Sequence, residues 1–204
     1  INDKNNPNKI IDFMKNTEKQ LLLIKESDYV ITSSPELEKI CKKLNKNNNA
    51  NYITSSINVE KFVPKHVSNK RVVIGWTGTF SSKKYLDSLR DVFQELAKEC
   101  EYELHVIGNF EYDLPNVNLV VKKWSLEEEV EQMQALDIGI YPLPSDDLWV
   151  QGKSGLKAIQ YMAFGIPTVA TNVGHTPNII ENRSEGILVK TKKEWLIAIN
   201  HSFF

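Results

Sequence analysis

Residues 137–174, DIGIYPLPSDDLWVQGKSGLKAIQYMAFGIPTVATNVG, carry a strand–helix–strand pattern. Ile138–Tyr141 and Thr168–Ala170 are short apolar runs, as expected of buried strands. Between them, residues 155–163 have helical spacing, and Gly165-Ile166-Pro167 ends the helix because glycine caps helices and proline cannot continue them. Two buried strands joined by a helix predict a parallel, alternating α/β arrangement.

The same alternation extends in both directions from this stretch. Further apolar runs are Val72–Ile74, Leu104–Ile107, Val117–Val121 and Ile187–Val189. An apolar stripe from Tyr85 to Ala97 and a capping box at Ser125–Glu128 predict helices between these runs. We therefore predict an α/β domain with a parallel sheet and helices on both faces, spanning residues 63–204.

Residues 1–62 are predicted to be part of a second α/β domain together with its linker. The predicted elements are a helix at Ile10–Lys25, a strand at Asp28–Thr32, a helix from the Ser33–Glu36 cap to Lys46, and a strand at Tyr52–Thr54. Asn58–Ser68 has little periodicity and is assigned as the linker. The chain begins with Ile1 rather than methionine, and we expect further sequence upstream.

Composition disfavours several functional classes. The chain has 204 residues, with 25 Lys and Arg against 26 Asp and Glu, so it lacks the basic excess of a nucleic-acid binder. Its two cysteines, Cys41 and Cys100, indicate no disulfide framework, which is consistent with a reducing cytoplasm. No apolar run reaches the roughly 18 residues needed to span a membrane.

The loop after the Val72–Ile74 strand is the first candidate site. Gly75–Ser82 contains two glycines that let the backbone approach a ligand, and a helix is predicted just beyond. Gly78 and Thr79 are therefore candidates for binding phosphate through backbone N–H groups. The alternative is an ordinary turn between strand and helix. The loop lacks the third glycine and the later acidic residue of a dinucleotide fingerprint.

The second candidate site follows the Ile138–Tyr141 strand. Lys153, Lys157 and Gln160 are spaced by four and three residues, so a helix beginning near Lys153 would place them in one stripe. Lysines at the start of a helix oppose its dipole, and a bound anion would remove that conflict. Ser154 and Gly155 lie between the lysines and are included in the predicted phosphate site. The alternative is a solvated helix face.

Histidines and tryptophans add weaker candidates. His175 follows the Thr168–Ala170 strand and could touch a ligand, although such a residue is more often exposed. His105 lies in a predicted strand and is assigned to the core or an edge. Trp76, Trp124 and Trp149 are predicted to be packing residues, with Trp76 or Trp124 as the alternative wall of a base pocket.

The stretch from Asp137 to Gly174 resembles the C-terminal domain of GT-B glycosyltransferases of family 4, the glycosyl transferases group 1. Asp28–Ser34 is similar to the last strand of that family's N-terminal domain, and Ile57–Pro64 to its interdomain linker. The resemblance implies a Rossmann-like sheet and a donor cleft formed mainly by the C-terminal domain. Residues 1–62 would then be a remnant of the acceptor-side domain.

The resemblance also implies an activity. Such enzymes transfer a sugar from a nucleotide diphosphate, with retention and without a required metal or cofactor. The implied partners are a UDP- or GDP-linked sugar and a glycan or lipid-linked acceptor, with no nucleic acid. A cytoplasmic protein of polysaccharide biosynthesis is implied, and peripheral membrane contact through the missing half stays open. The catalytic residues are expected partly in the missing N-terminal domain, so the isolated chain is expected to be inactive.

The chain departs from the family signature at two positions. The signature has two glutamates separated by seven residues, and these positions fall on Gly152 and Gln160. Gln160 is assigned to the ribose, whereas Gly152 has no side chain for the donor sugar. Trp76 occupies the position of the family's usual arginine, and we assign the phosphate charge to Lys153 and Lys157 instead.

Two other functions stay open at this point. A GT-B-fold nucleotide-sugar epimerase or a hydrolytic relative would need acidic and histidine groups that the candidate loops lack. A degenerate, non-catalytic module acting in protein interaction is compatible with the substitutions at Gly152 and Gln160. A concave site where Gly78, Lys153 and Gln160 converge would favour the transferase, and a flat surface would favour the module.

Overall fold

The computed structural model describes residues 17–64 and 69–201. Contacts within the chain divide it into two compact units, with the boundary between Thr54 and Ser55. The domain boundary predicted at residue 62 stays a prediction, because compactness alone does not say where a domain begins. Residues 10–16 of the predicted first helix lie outside the described residues.

The first unit alternates helices and strands. Its elements are α1 (Thr17–Glu26), β1 (Val30–Thr32), α2 (Pro35–Leu44) and β2 (Ala50–Tyr52), and the two strands pair in parallel. The predicted cap of α2 is present, because the Ser34 hydroxyl accepts a hydrogen bond from the Leu37 N–H at 3.3 Å. Asn45 ties the end of α2 to α1, donating to the carbonyls of Ile24 and Ser27, each at 2.8 Å.

The second unit contains a six-stranded parallel sheet. Its strands are β3 (Val72–Thr77), β4 (Tyr102–Ile107), β5 (Leu119–Lys122), β6 (Ile138–Tyr141), β7 (Thr168–Thr171) and β8 (Gly186–Val189). Its helices are α3 (Lys83–Asp87), α4 (Arg90–Glu99), α5 (Glu129–Gln134), α6 (Leu148–Gln151), α7 (Leu156–Ala163) and α8 (Lys192–His201). Short 3₁₀ turns at Phe80–Ser82 and Thr176–Asn178 precede α3 and follow β7, respectively. The predicted Rossmann-like parallel sheet is confirmed.

The order of the strands fixes where ligands can bind. The order is β5-β4-β3-β6-β7-β8, and every neighbouring pair runs in parallel. The chain moves outward from β3 to β4 and β5, then returns to place β6 on the other side of β3. This is the strand order of the doubly wound nucleotide-binding folds, which bind ligands at the carboxyl ends of the strands where the order reverses. The reversal here lies between β3 and β6.

Alternating side chains of the strands fill two cores, one on each face of the sheet. Ile74 and Trp76 of β3 pack with residues of α4 and α8. Val73, from the same strand, packs on the opposite face with Tyr161 and Phe164, at the end of α7. Burial on both faces explains why these strands are almost continuously apolar. Within the described ranges, no helix is long and apolar enough to cross a membrane.

Several element boundaries differ from the predicted ones, among them the strand predicted at Tyr52–Thr54, which runs over Ala50–Tyr52. β3 runs to Thr77, so the first three residues of the predicted Gly75–Ser82 loop belong to the strand. Ser125 accepts a hydrogen bond from the Glu128 N–H at 3.2 Å, but the helix begins only at Glu129. The helix predicted over residues 155–163 is confirmed as α7, but the helix start near Lys153 on which the lysine stripe depended is not met, because α7 begins at Leu156, after Gly155 in a left-handed conformation.

Candidate functional site

The carboxyl ends of β3 and β6 are brought together by the sheet. β3 and β6 are neighbours, with Ile74 paired with Ile138 and Gly75 with Gly139. Tyr161 of α7 contacts both strands. Its hydroxyl accepts from the Thr77 N–H at 3.3 Å and donates to the Gly75 carbonyl at 3.4 Å, both in β3, and its ring packs on Gly139 of β6, where a Cβ would lie 2.4 Å from the ring. The loops after β3 and β6, together with the start of α7, therefore surround the point where the strand order reverses.

Two glycines allow the loops after β6 and β7 to pack closely. Gly174 has a φ of 57°, and a Cβ there would lie 3.0 Å from the Val150 carbonyl oxygen. Gly155 has a φ of 74°, and a Cβ there would lie 2.1 Å from the Ile179 Cδ1 atom. Both positions need glycine for conformation and for space, because side chains rarely adopt positive φ. They seat α6 and the start of α7 against the loop that follows β7.

A cationic cluster joins α3, the helix that follows β3, to the loop after β6. Asp147 accepts from the Lys84 ammonium at 3.2 Å and from the Tyr85 hydroxyl at 3.4 Å. Its other carboxylate oxygen accepts from the Trp149 N–H at 2.9 Å and so caps α6. The Lys153 Nζ lies 5.4 Å from the centre of the Tyr85 ring. Residues 63 positions apart in the chain thus share one site.

The cluster has more positive than negative charge. Burial, and then the nearby ammonium of Lys153, lower the pKa of Lys157. Burial also lowers the pKa of Lys153, an effect that Asp147 opposes and Lys84 reinforces. Within residues 17–64 and 69–201, neither Lys153 nor Lys157 has an ion-pair partner. Two partly buried, unpaired ammonium groups make a site for an anion.

Asp147 offsets only part of this charge, because it forms its ion pair with Lys84 and only partly opposes the lowering of the Lys153 pKa. Burial raises the pKa of its carboxyl, but the Trp149 N–H, the Lys84 ammonium and the Tyr85 hydroxyl hold that pKa below its usual value. Burial and the adjacent Asp147 charge raise the pKa of Tyr85 to about 12, so Tyr85 stays a neutral donor. The three lysines and one aspartate leave two positive charges unbalanced.

The N-terminus of α7 adds backbone donors to the lysines. Its N-cap, Gly155, provides no side-chain cap, and within the described part of the chain no group accepts from the N–H of Leu156 or Lys157. A helix N-terminus carries partial positive charge and free N–H groups, which suit a phosphate. Gln160 is partly buried and lies three residues after Lys157, so both side chains share one face of α7.

The structure places Lys153 differently from the predicted stripe. Lys153 precedes α7, in a turn that continues α6, with its N–H donating to the Val150 carbonyl at 3.1 Å. Its ammonium group is still near enough to Lys157 for charge repulsion to lower the Lys157 pKa. Ser154 and Gly155 connect them. Spatial convergence of the two lysines therefore comes from this turn and not from helical periodicity.

The loop after β3 uses the predicted N–H groups internally. The Gly78 N–H donates to the Ile107 carbonyl at 3.0 Å, and the Thr79 N–H donates to the Ser82 hydroxyl at 3.0 Å. Gly78 is needed for space, since a Cβ there would lie 2.2 Å from the Trp76 ring. The assignment of Gly78 and Thr79 to phosphate stays a prediction.

The two candidate histidines are buried, and the tryptophans differ among themselves. His105 and His175 both lie inside the fold, and burial lowers the pKa of the His175 imidazole. Trp76 is buried, as predicted, and its ring meets the Phe110 ring edge-on at 5.9 Å. The prediction that Trp149 packs inside was wrong, because 63% of its surface is exposed in α6. Trp124 is 38% exposed and follows β5, at the far edge of the sheet.

Residues 71–202 match the family described as glycosyl transferases group 1, and they include the sheet, the lysines and α7. The chain belongs to this family. A curated relative, described as an uncharacterized 41.2 kDa protein in the cps region of Klebsiella pneumoniae, is 25% identical over 138 residues. That alignment covers 64% of this chain and 36% of the relative.

Solved structures share the fold of this glycosyl transferases group 1 chain. Sucrose-phosphate synthase from Thermosynechococcus elongatus superposes with a TM-score of 0.70 and 16% identity, covering 97% of this chain and 53% of that one. Anabaena Alr3699/HepE, solved in complex with UDP-glucose, gives a TM-score of 0.68 and 14% identity, covering 93% and 59%. The C-terminal domain of LpcC from Francisella tularensis gives a TM-score of 0.51 and 17% identity, covering 72% and 87%.

The chain is shorter than most of these relatives. It spans about half the length of sucrose-phosphate synthase and about a third of the Klebsiella protein. In this family member, the two positions where glutamates were expected lie in different elements. Gly152 ends α6 with its N–H on the Trp149 carbonyl at 3.3 Å, and Gln160 lies on α7.

Proposed function

We propose that this chain is the donor-binding part of a glycosyltransferase that uses a nucleotide-diphosphate sugar. The observation that supports the proposal most strongly is the unpaired pair of lysines, Lys153 and Lys157, at the point where the strand order reverses. A diphosphate carries the charge needed to balance them. Membership of the glycosyl transferases group 1 family supplies the reaction class.

The proposed arrangement of the donor follows the elements of the site. The diphosphate lies between the Lys153 and Lys157 ammonium groups and the free N–H groups at the start of α7. Gln160, one turn further along the same face of α7, accepts a hydrogen bond from a ribose hydroxyl. When the sugar departs, negative charge develops on the nucleotide diphosphate, and these fixed donors stabilise it.

The finer assignments are part of the same proposal. The donor is a UDP- or GDP-linked hexose, and the existence of a UDP-glucose complex of Alr3699/HepE supports UDP as the first to be tested. The transfer is retaining and independent of metal, as in family 4, and its acceptor is a glycan or a lipid-linked glycan of polysaccharide biosynthesis. A cytoplasmic location with peripheral contact to the membrane fits such an acceptor.

Calorimetric titration with UDP, GDP and ADP tests the donor site. We expect one nucleotide to bind saturably, and we expect both Lys153→Ala and Lys157→Ala to weaken its binding. Lys123→Ala is the matched control, because Lys123 is exposed in the loop after β5. Failure of all three nucleotides to bind would contradict the proposal and favour a non-catalytic interaction module.

We also propose that this 204-residue chain does not transfer sugar by itself. Among the described residues around the lysines, Asp147 is held by three donors and is not free to act as a general base. The reacting acceptor must therefore be activated by groups outside this site. Release of free nucleotide from UDP- or GDP-sugars in the presence of acceptor glycans measures this, and robust turnover by the chain would contradict it.

A further inference from the structure

The site has an exposed aromatic side chain at one end. Trp149 and its neighbour Leu148 are 63% and 87% exposed, although Trp149 is followed by the buried Val150 in the same short helix. An exposed tryptophan beside a polar site is unusual, because aromatic surface normally leaves water in the folded state. α6 is also held rigidly, since Asp147 caps it and is bound in turn to Lys84.

The chain gives the residues of the site an order from α6 to α7. Trp149 comes first, two residues after Asp147, and its backbone N–H donates to the Asp147 carboxylate at 2.9 Å. Lys153 follows, four residues after Trp149 in a turn closed by the Gly152 and Lys153 N–H groups. Lys157 lies beside Lys153, and Gln160 comes three residues further, a rise of about 4.5 Å along α7.

This order assigns the parts of the donor to the ends of the site. We infer that Trp149 contacts the transferred sugar of the nucleotide-sugar donor and so determines which sugar is bound. The inference rests on the proposed function, in which Lys153 and Lys157 hold the diphosphate and Gln160 holds the ribose. The diphosphate separates ribose from sugar, and the sugar must therefore extend past Lys153 toward Trp149.

The chemistry of a pyranose suits this end of the site. A sugar ring presents C–H groups on its faces and hydroxyls on its edge, so an indole covers one face without leaving polar groups unpaired. At the position next to Lys153, Gly152 has no side chain that would compete with a sugar ring. A rigid aromatic side chain loses little conformational freedom on contact, which favours binding at an exposed position.

The test compares each nucleoside diphosphate with its sugar derivatives. Dissociation constants are measured by calorimetry for UDP, GDP and ADP and for UDP-glucose, UDP-galactose, UDP-N-acetylglucosamine, GDP-mannose and ADP-glucose. In the unaltered chain, one nucleotide sugar should bind more tightly than its own diphosphate. Trp149→Ala should weaken the binding of that nucleotide sugar by roughly tenfold and change the affinity for the diphosphate by no more than about twofold. The difference in affinity between the two ligands should therefore disappear. Trp149→Phe should retain most of the difference.

Two control variants distinguish the role of Trp149 from the proposed donor binding on which it depends. Lys157→Ala should weaken the diphosphate and the nucleotide sugar together, because it removes a phosphate contact common to both. Leu126→Ala, which removes an exposed apolar side chain from the loop before α5, should change neither. Thermal unfolding should be unchanged in Trp149→Ala, since the side chain is exposed.

Three results would overturn the inference. The diphosphate and the nucleotide sugar could bind equally well to the unaltered chain, which would mean that the sugar makes no contact. Trp149→Ala could weaken both to the same extent, which would place the indole on the nucleotide, or it could weaken neither. In each of these cases the donor site itself survives. Absence of binding by every nucleotide would instead remove the proposed function, and the inference with it.

Discussion

Replacing Lys157 by methionine should stabilise the unliganded chain and weaken nucleotide binding in the same variant. Methionine keeps the apolar stem of the side chain and removes its charge. In the unliganded protein that charge is partly buried, unpaired and repelled by Lys153, and it lies in the first turn of α7. All three circumstances disfavour the folded state, so removing the charge should raise the free energy of unfolding.

The expected gain can be estimated from its parts. An unfavourable charge in the first turn of a helix costs about 0.3–1 kcal/mol. Relief of the repulsion from Lys153 and of the burial of the ammonium group adds to this, and we expect a total of about 1 kcal/mol. For a protein of this size that corresponds to a rise in Tm of about 2–4 °C. Loss of a charge-assisted phosphate contact of about 1.5–3 kcal/mol should weaken nucleotide binding by roughly 10- to 100-fold.

Differential scanning calorimetry and isothermal titration measure the two effects on one preparation. Lys123→Met is the control, because Lys123 is exposed and should change neither quantity beyond error. A lower Tm for Lys157→Met, together with unchanged nucleotide affinity, would show that Lys157 is a structural residue. The reasoning about an anion site would then be refuted.

Two further predictions concern the start of α7 and the charge on its lysines. Gly155→Ala should destabilise the chain by about 2–4 kcal/mol in urea unfolding, because positive φ disfavours a side chain and the new Cβ meets Ile179 at 2.1 Å. Ile179→Ala should lower the free energy of unfolding less in the Gly155→Ala background than in the unaltered chain. If the two losses of unfolding free energy were additive, the proposed clash would be contradicted. The lowered pKa values of Lys153 and Lys157 mean that the unfolded chain holds more protons just below the usual lysine pKa of 10.5. The free energy of unfolding should therefore rise with pH in that range, while nucleotide affinity falls. Unfolding and nucleotide titrations at several pH values measure the two slopes, and Lys157→Met should reduce both.

The sheet could be predicted from sequence because its strands are buried on both faces. Continuous apolar runs such as Leu104–Ile107 and Ile138–Tyr141 are typical of such strands, and they contrast with the polar helices between them. The ends of elements were harder to place. The glycine in Gly75–Thr77 favours a loop, yet this segment continues β3, where Gly75 leaves space for Leu136.

The site could be predicted only in part. Lys153 and Lys157 were identified from spacing, but the spacing argument assumed a helix that begins three residues too early. The helical spacing of residues 155–163 indicated the true start, and Gly155 is indeed the residue before α7, in a conformation that other residues avoid. Its contact with Ile179, however, depends on how the loop after β7 packs, which no local pattern reports.

The pairing of Lys84 with Asp147 was not predictable from local sequence. The two residues are 63 positions apart, and they meet because β6 lies beside β3 in the sheet. The exposure of Trp149 was missed for a related reason. Tryptophan is normally buried, and only the tertiary placement of α6 shows that Val150 occupies the core while Trp149 faces outward.

Asp147 explains why the two lysines depend on a ligand. A carboxylate this close to Lys153 would ordinarily form an ion pair with it and turn the cluster into a structural feature. Here the oxygens of Asp147 are occupied by the Trp149 N–H, the Lys84 ammonium and the Tyr85 hydroxyl. Lys84 thus forms the ion pair with Asp147, Lys153 gains only a weaker stabilisation from the same carboxylate, and Lys157 has no ion-pair partner among the described residues. Because unpaired buried charge costs stability, the arrangement makes physical sense only if a bound anion offsets that cost.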